Sequence, residues 1–243
     1  MTRLLAILEY DGTDFEGFQV QKRGRTVQGE LEGALREITG EEIRVVGAGR
    51  TDSGVHALGQ GAHFDTEWSR PPELLHRALN GVLPNDMAVR SIVPVAPDFS
   101  ARYNARSRAY RYTILNQPHR SPLTCRYALH APESLDVDAM DAAARCLLGS
   151  QDFGAFGTPP QGQNTVREMI RAQVQKAAPT IQIDLEANAF LYRMVRRIVG
   201  TLLWVGKGEM SVEEFRTVIA KKRRAGQSVP PHGLCLVAVH YDL

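Results

Sequence analysis

Apolar positions in this chain follow two periods, one of about 3.6 residues and one of about 2, and the two alternate along it. Leu4 to Glu9 predicts a strand, followed by a turn-rich stretch from Asp11 to Arg25. Val27, Leu31, Leu35 and Ile38 then fall at helical spacing, with Gly40 as the stop. Ile43 to Val46 predicts a short strand, a glycine-rich segment fills 47–61, and another strand lies near Ala62 to Asp65. Pro71 and Pro72 open a helix carrying Leu74, Leu75, Ala78 and Leu79, which closes at the Pro84-Asn85-Asp86 turn. Ala88 to Val95 predicts a strand. The order is β-α-β-β-α-β.

The second half repeats that order. Arg108 to Leu115 predicts a strand, and Asp136 caps a helix with Val137, Met140, Ala144, Leu147 and Leu148 on one face, ended by Gly149. Val166 to Lys176 and Ile181 to Glu186 predict two strands around the Ala178-Pro179-Thr180 turn. Phe190 to Val205 predicts a strongly apolar helix, Ser211 and Glu214 form a capping box for an extra one, and Leu234 to His240 closes the chain as a strand. The expected fold is therefore α+β, two ferredoxin-like (β-α-β-β-α-β) subdomains over 1–104 and 105–243. Joined side by side, their sheets would leave a central cleft, the usual place for a ligand. No internal sequence repeat accompanies the matched order. Loops 118–132 and 158–165 read as insertions.

Composition excludes several classes. With 243 residues, 43% of them hydrophobic and 23% charged, the chain is an ordinary globular protein. Three cysteines without a CxxC pair argue against a disulfide framework or a thiolate zinc site. No apolar run approaches a membrane span or a signal-peptide core, so the expectation is a cytoplasmic protein with no membrane association.

Charge changes the picture more, because the formal net of +2 hides a division. Residues 1–98 hold 10 Lys+Arg against 15 Asp+Glu, and residues 99–243 hold 19 against 12. Phe99 to Pro132 contains six arginines and no acid; Ala187 to Gly208 and Phe215 to Tyr241 are also basic and acid-free. Such blocks create local potentials that suit a polyphosphate partner. With Tyr103, Tyr110 and Tyr112 among the arginines of the first block, they point toward nucleic acid rather than a merely solvated surface.

The candidate chemistry sits in GAGRTDSGVHALGQ, residues 47–60. Glycines around Arg50-Thr51-Asp52 allow tight turns and close backbone approach, so the triplet is displayed rather than buried in a strand. A phosphate-binding loop does not fit, because no GxxxxGK[ST] is present. A hydrolase built on Ser53 and His56, a metal site from Asp52, His56 and His63, and a catalytic carboxylate at Asp52 beside Arg50 all remain open, as does an Asx-turn aspartate with no catalytic part.

This stretch resembles the catalytic motif of the tRNA pseudouridine synthase A (TruA) family. Three others match the family in order: YDGTDFEGFQVQ from Tyr10 followed by TVQGELEGAL, ARSRAYRYTI from Ala105, and NAFLYRMVRRIVGTLLWVGKG from Asn188. The resemblance implies isomerisation of uridine to pseudouridine in the tRNA anticodon stem-loop, at tRNA positions 38, 39 and 40. It implies no cofactor, no metal and a homodimer, and two ferredoxin-like subdomains as its fold. It makes Asp52 the catalytic carboxylate, attacking ribose C1′ or uracil C6 or assisting release of uracilate. Tyr110 becomes the active-site tyrosine, a stacking surface for a flipped base.

On a helix over Phe190–Val205, Leu191, Met194, Val195, Ile198 and Leu202 form the apolar stripe, with Arg193 and Arg197 nearly opposite and Arg196 at its edge. Arg196 is thus the arginine expected to reach a cleft and pair with Asp52. Arg50 is expected to fill the space of the flipped base or hold a flanking phosphate; Arg102, Arg106, Arg108, Lys221 and Lys222 are read as a phosphate track. His56 is expected to be a satisfied loop residue. The rival reading is a non-catalytic RNA-binding protein with paired RRM-like folds, although the RRM aromatic motifs are absent.

Overall fold

The structure, a computed structural model, describes residues 1–221 and 225–242. Its elements in chain order are β1 (Thr2–Tyr10), α1 (Val27–Thr39), β2 (Val46–Gly47), β3 (His56–Thr66), α2 (Pro72–Val82), β4 (Met87–Pro94), β5 (Ser107–Leu115), β6 (Leu129–His130), α3 (Val137–Arg145), β7 (Gly149–Asp152), β8 (Val166–Ala177), β9 (Thr180–Ala187), α4 (Met194–Gly206), α5 (Val212–Lys221) and β10 (Leu234–His240). The fold is α+β with mixed strand pairing. Two compact units result: Met1–Arg106 together with Cys235–Leu243, and Ser107–Leu234.

In the first unit, β1 lies between β4 and β3, antiparallel to both, and β2 pairs antiparallel with β3. Leu4, Leu5 and Ala6 are consecutive buried residues. A strand buries neighbours in sequence only when both its faces are covered. Leu5 packs with Ala48, Phe99 and Ala101, and Val239 and Tyr241 close over that cluster. The C-terminal segment is therefore part of the first unit's core. Expected as the last strand of the second subdomain, β10 runs parallel to β3, with Cys235 opposite His56 and Leu236 opposite Ala57.

The second unit carries an antiparallel β5-β9-β8-β7 sheet, with Tyr110 opposite Leu185 and Tyr112 opposite Ile183. Met140, Ala143 and Ala144 of α3 and Ile198, Val199 and Leu202 of α4 are buried in its core.

Local signals start and stop several helices, although α3 ends at Arg145 rather than at Gly149, which opens β7. Thr26 Oγ1 accepts from the Gly29 N–H to start α1, Gly40 ends it in the left-handed region at φ 73°, and Asp136 caps α3 through the Ala139 N–H at 2.9 Å. Ser211 and Glu214 make the reciprocal capping box of α5. Three other readings need correction. Residues 43–45 are not a strand, and at Val45 side chains take up the backbone: Glu32 Oε1 accepts from its N–H, and Gln28 Nε2 donates to its carbonyl. Glycine-rich 56–61 is strand, not loop. A Cβ at Gly59 would stand 2.6 Å from the Val237 carbonyl oxygen and one at Gly61 2.2 Å from the Tyr241 hydroxyl, so glycine here admits the C-terminal segment. The third concerns the apolar helix, which starts at Met194 rather than Phe190, after Arg193 in the left-handed region at φ 59°.

Candidate active site

The segment after β1 forms a platform, and the 47–56 loop lies on it. Phe15 O accepts from the Gly54 N–H at 3.4 Å and from Ser53 Oγ at 3.2 Å, and the Phe18 N–H donates to Thr51 O at 3.1 Å. Thr51 Oγ1 shares a buried 2.8 Å hydrogen bond with the Tyr10 hydroxyl. The approach is too close for side chains. A Cβ at Gly12 would lie 2.0 Å from the Val55 carbonyl oxygen, and one at Gly17, already at φ +94°, 2.8 Å from the Thr51 carbonyl oxygen. Beneath the loop, fully buried Gln60 donates to Gly49 O at 3.0 Å. Sequence reasoning assigned the platform no task. Its legible signal is a pair of glycines, Gly12 and Gly17, flanking a buried aromatic at Phe15.

On this support Thr51 is buried, Asp52 half-buried, and Arg50 and Ser53 exposed. The turn that presents Asp52 is fixed by backbone: the Val55 N–H donates to Asp52 O at 3.1 Å, and Gly54 within it takes φ 77°. The rival side chains are used in stapling. Ser53 Oγ donates to Phe15, and His56 Nδ1 accepts from the Gly12 N–H at 3.0 Å. Among the described residues, no group of three or more His, Cys, Asp or Glu side chains is arranged to hold a metal ion.

Arg25 ties the platform down. Its guanidinium lies 4.2 Å from the Phe15 ring centroid, binds Asp86 through both terminal nitrogens and donates from Nε to Glu30 at 2.7 Å. The hydrogen bond from Arg25 holds the Asp86 carboxyl below its ordinary value of 3.8. A carboxylate with a depressed folded-state pKa stabilises the fold fully well above pH 3.8, and that contribution disappears as pH falls through 3.8 to the folded value. Arg25→Ala should therefore reduce stability at neutral pH and flatten the acid limb of a stability-versus-pH curve below about pH 5. Urea unfolding at a series of pH values measures it; an unchanged acid limb would refute the role of the pair.

In the second unit, Tyr110 is half-buried on β5, its ring edge-on to Phe190 with centroids 5.1 Å apart. Tyr112, two residues on and on the same face, is fully buried and donates its hydroxyl to Pro230 O at 2.9 Å. Burial pushes the Tyr112 phenol well above its ordinary range, and the Arg196 guanidinium pulls it back down. Tyr112 is therefore a packed strand aromatic rather than a surface for nucleic acid. On α4, Arg196 is half-buried at the edge of the apolar stripe, and Arg193 and Arg197 are exposed. Arg196 Nε donates to Val229 O at 2.7 Å while the Val229 N–H donates to Arg196 O at 3.2 Å. This reciprocal pair fixes the plane of the guanidinium.

Two glycines make that clamp possible. A Cβ at Gly200 would stand 2.0 Å from the Gln227 carbonyl oxygen, and one at Gly226 2.7 Å from the Gly200 carbonyl carbon. The Gly226 N–H also donates to buried Thr201 Oγ1 at 2.8 Å. Gly200→Ala should push the 226–229 segment off α4 at a cost of about 1–3 kcal/mol. A Tm about 2–12 °C lower follows for a chain of this size. Calorimetry measures it, and a wild-type Tm would show that the segment is not held there.

The expected phosphate track is spread over both units. Arg102 and Arg106 belong to the first, where Arg102 lies over the Tyr103 ring and Arg106 pairs with Asp242; Arg108 belongs to the second and donates to Asn188 O at 2.8 Å. Lys221 is the last residue of α5, and Lys222 lies outside the described residues. Among the described residues no helix is long and apolar enough to cross a membrane.

A family model described as tRNA pseudouridine synthase matches residues 6–104 and 143–242, a span that includes the platform, the Asp52 loop and the Arg196 helix. A protein named tRNA pseudouridine synthase A from Shouchella clausii is 45% identical over 99% of this chain and 94% of its own length. Proteins of the same name from Caldicellulosiruptor saccharolyticus, at 42% over 99% of this chain and 100% of their own length, and from a Roseiflexus species, at 44% over 99% and 91%, match as fully. The chain belongs to the tRNA pseudouridine synthase family.

Proposed function

We propose that this protein isomerises uridine to pseudouridine in the anticodon stem-loop of tRNA, at tRNA positions 38, 39 and 40, with Asp52 as its catalytic carboxylate. The observation that carries the reading is a full-length family match whose Asp52 loop is stapled through backbone to a glycine-bearing platform. Such preorganisation suits a group that must meet its target in one geometry.

The reaction breaks the N1–C1′ bond and makes a C5–C1′ bond. N1 gains a proton and C5 loses one, so nothing is added or removed. A carboxylate at C1′ or C6 supplies the nucleophile for the exchange. The target base cannot react within a stem and must be flipped out. Tyr110, half-buried against Phe190, offers a ring for it to stack on. Arg196, its plane set by Val229, is assigned to charge-pairing with the Asp52 carboxylate, Arg50 to the vacated space or a flanking phosphate, and Arg102, Arg106, Arg108, Lys221 and Lys222 to the backbone.

The β4-β1-β3-β2 order of the first unit supports the ferredoxin-like reading of its architecture. A homodimer acting on tRNA in the cytoplasm completes the proposal.

Incubation of unmodified tRNA with the purified protein and no added cofactor, with pseudouridine mapped base by base, tests this reading. Conversion at 38, 39 and 40 is expected. Conversion only elsewhere would overturn the site assignment, and tRNA binding without conversion would favour the RRM-like binding protein.

A further inference from the structure

The turn after β4 holds an aromatic that the reaction does not use. Tyr103 is 77% exposed, yet its backbone is tightly fixed. The Asn104 N–H donates to Ser100 O at 2.9 Å, the Ser100 N–H to Asn104 Oδ1 at 2.8 Å, and the Tyr103 N–H to Ser100 Oγ at 3.4 Å. Both flanks are anchored. Phe99 and Ala101 are buried, Ala101 bonds His63 Nδ1 through its N–H and the Tyr241 hydroxyl through its carbonyl, and the Arg106 N–H donates to His240 O. The cluster that receives Phe99 and Ala101 also contains Ala48, four residues before Asp52, so the turn and the Asp52 loop share one foundation.

At the crest of this turn the Arg102 guanidinium lies over the Tyr103 ring, 5.4 Å from its centroid. The ring is thus held in solvent beside a planar cation, with no acid in the sequence from Phe99 to Pro132; Asp98 precedes that stretch, and Asp242 pairs with Arg106. A single exposed aromatic is ordinary on a protein surface, but this ring is set on a hydrogen-bonded turn and paired with a guanidinium. An arginine-tyrosine pair presents stacking faces to any base and a positive charge to its phosphate, independent of base identity.

We propose that Tyr103, together with Arg102, is a stacking platform for an unpaired nucleobase of the substrate RNA other than the target uridine. This deepens the tRNA reading and rests on it. Tyr103 acts on binding and takes no part in the bond exchange, so its loss enters KM. Sequence-tolerant stacking also suits an enzyme that meets different loop sequences.

The test places 2-aminopurine singly at each unpaired position of an unmodified anticodon stem-loop and follows its fluorescence with wild type, Tyr103→Phe and Tyr103→Ser. Stacking quenches this base. At one position wild type and Tyr103→Phe should quench alike, while Tyr103→Ser should not, with Kd raised about 5–150-fold. Because the side chain is exposed, the Tm of both variants should match wild type. Equal quenching and Kd for Tyr103→Ser in an enzyme that still converts tRNA would overturn the platform alone. The same holds if Tyr103→Ser changes only the oligomeric state. A wild type that neither binds nor converts tRNA would overturn the function as well.

Discussion

Asp52→Asn should abolish conversion of uridine to pseudouridine, with kcat lowered by about 10⁴-fold or more, while tRNA affinity and Tm stay close to wild type. An amide matches the shape of a carboxylate but is neither charged nor nucleophilic, so a route through attack at C1′ or C6 loses its first bond. The loop itself should survive. The bonds that shape it and hold it to the platform run through the Asp52 and Thr51 carbonyls, the Gly54 N–H and the Ser53 and Thr51 hydroxyls, and an amide at 52 leaves those groups unchanged. Single-turnover conversion of unmodified tRNA beside a filter-binding measurement separates chemistry from binding. Substantial turnover by Asp52→Asn would leave the family intact and remove Asp52 as its catalyst. A variant that lost tRNA binding and activity together would instead make Asp52 a binding residue.

The second large effect is expected at Arg196. Arg196→Ala should lower kcat by about 10–150-fold, the equivalent of one hydrogen bond to a charged group at about 1.5–3 kcal/mol. Two contributions combine here. The compensating cation assigned to the Asp52 carboxylate is lost, and so is the Nε bond to Val229. Arg196→Lys separates them: lysine retains the charge but not the fork, so it should recover part of kcat without recovering the Val229 bond. Arg197→Ala is the control. Arg197 is exposed one position along the same helix, so its loss should leave kcat unchanged. Full turnover by Arg196→Ala, measured well below its Tm, would detach this arginine from the reaction.

Much of the site was legible because its signals are local. The Asp136 and Ser211 caps, the Gly40 stop and the helical spacing of Met194, Val195, Ile198 and Leu202 each depend on residues within a turn or two of one another. The edge position of Arg196 follows from the same arithmetic, at about 100° per residue. The motif around Asp52 was legible through its resemblance to a family motif, since the residues alone left hydrolase, metal, carboxylate and Asx-turn readings open. The platform was not. Gly12 and Gly17 look like ordinary turn glycines until Val55 and Thr51 are seen against them, about 40 residues away in sequence. Gly59 and Gly61 similarly look like loop formers until Val237 and Tyr241 pass over them.

By itself, then, the sequence determined the α+β class, the helices and several of their caps, the basic character of the later blocks and the family to which the chain belongs. Only the tertiary structure decided that β10 joins β3, that residues 56–61 extend, that Arg25 and Phe15 secure the Asp52 loop, and that Val229 sets the plane of Arg196. Caps and amphipathic periods are energies between near neighbours, readable along a line. The other features are contacts between segments far apart in the chain, and their signature in sequence is a glycine whose missing side chain shows only when its neighbour is in place.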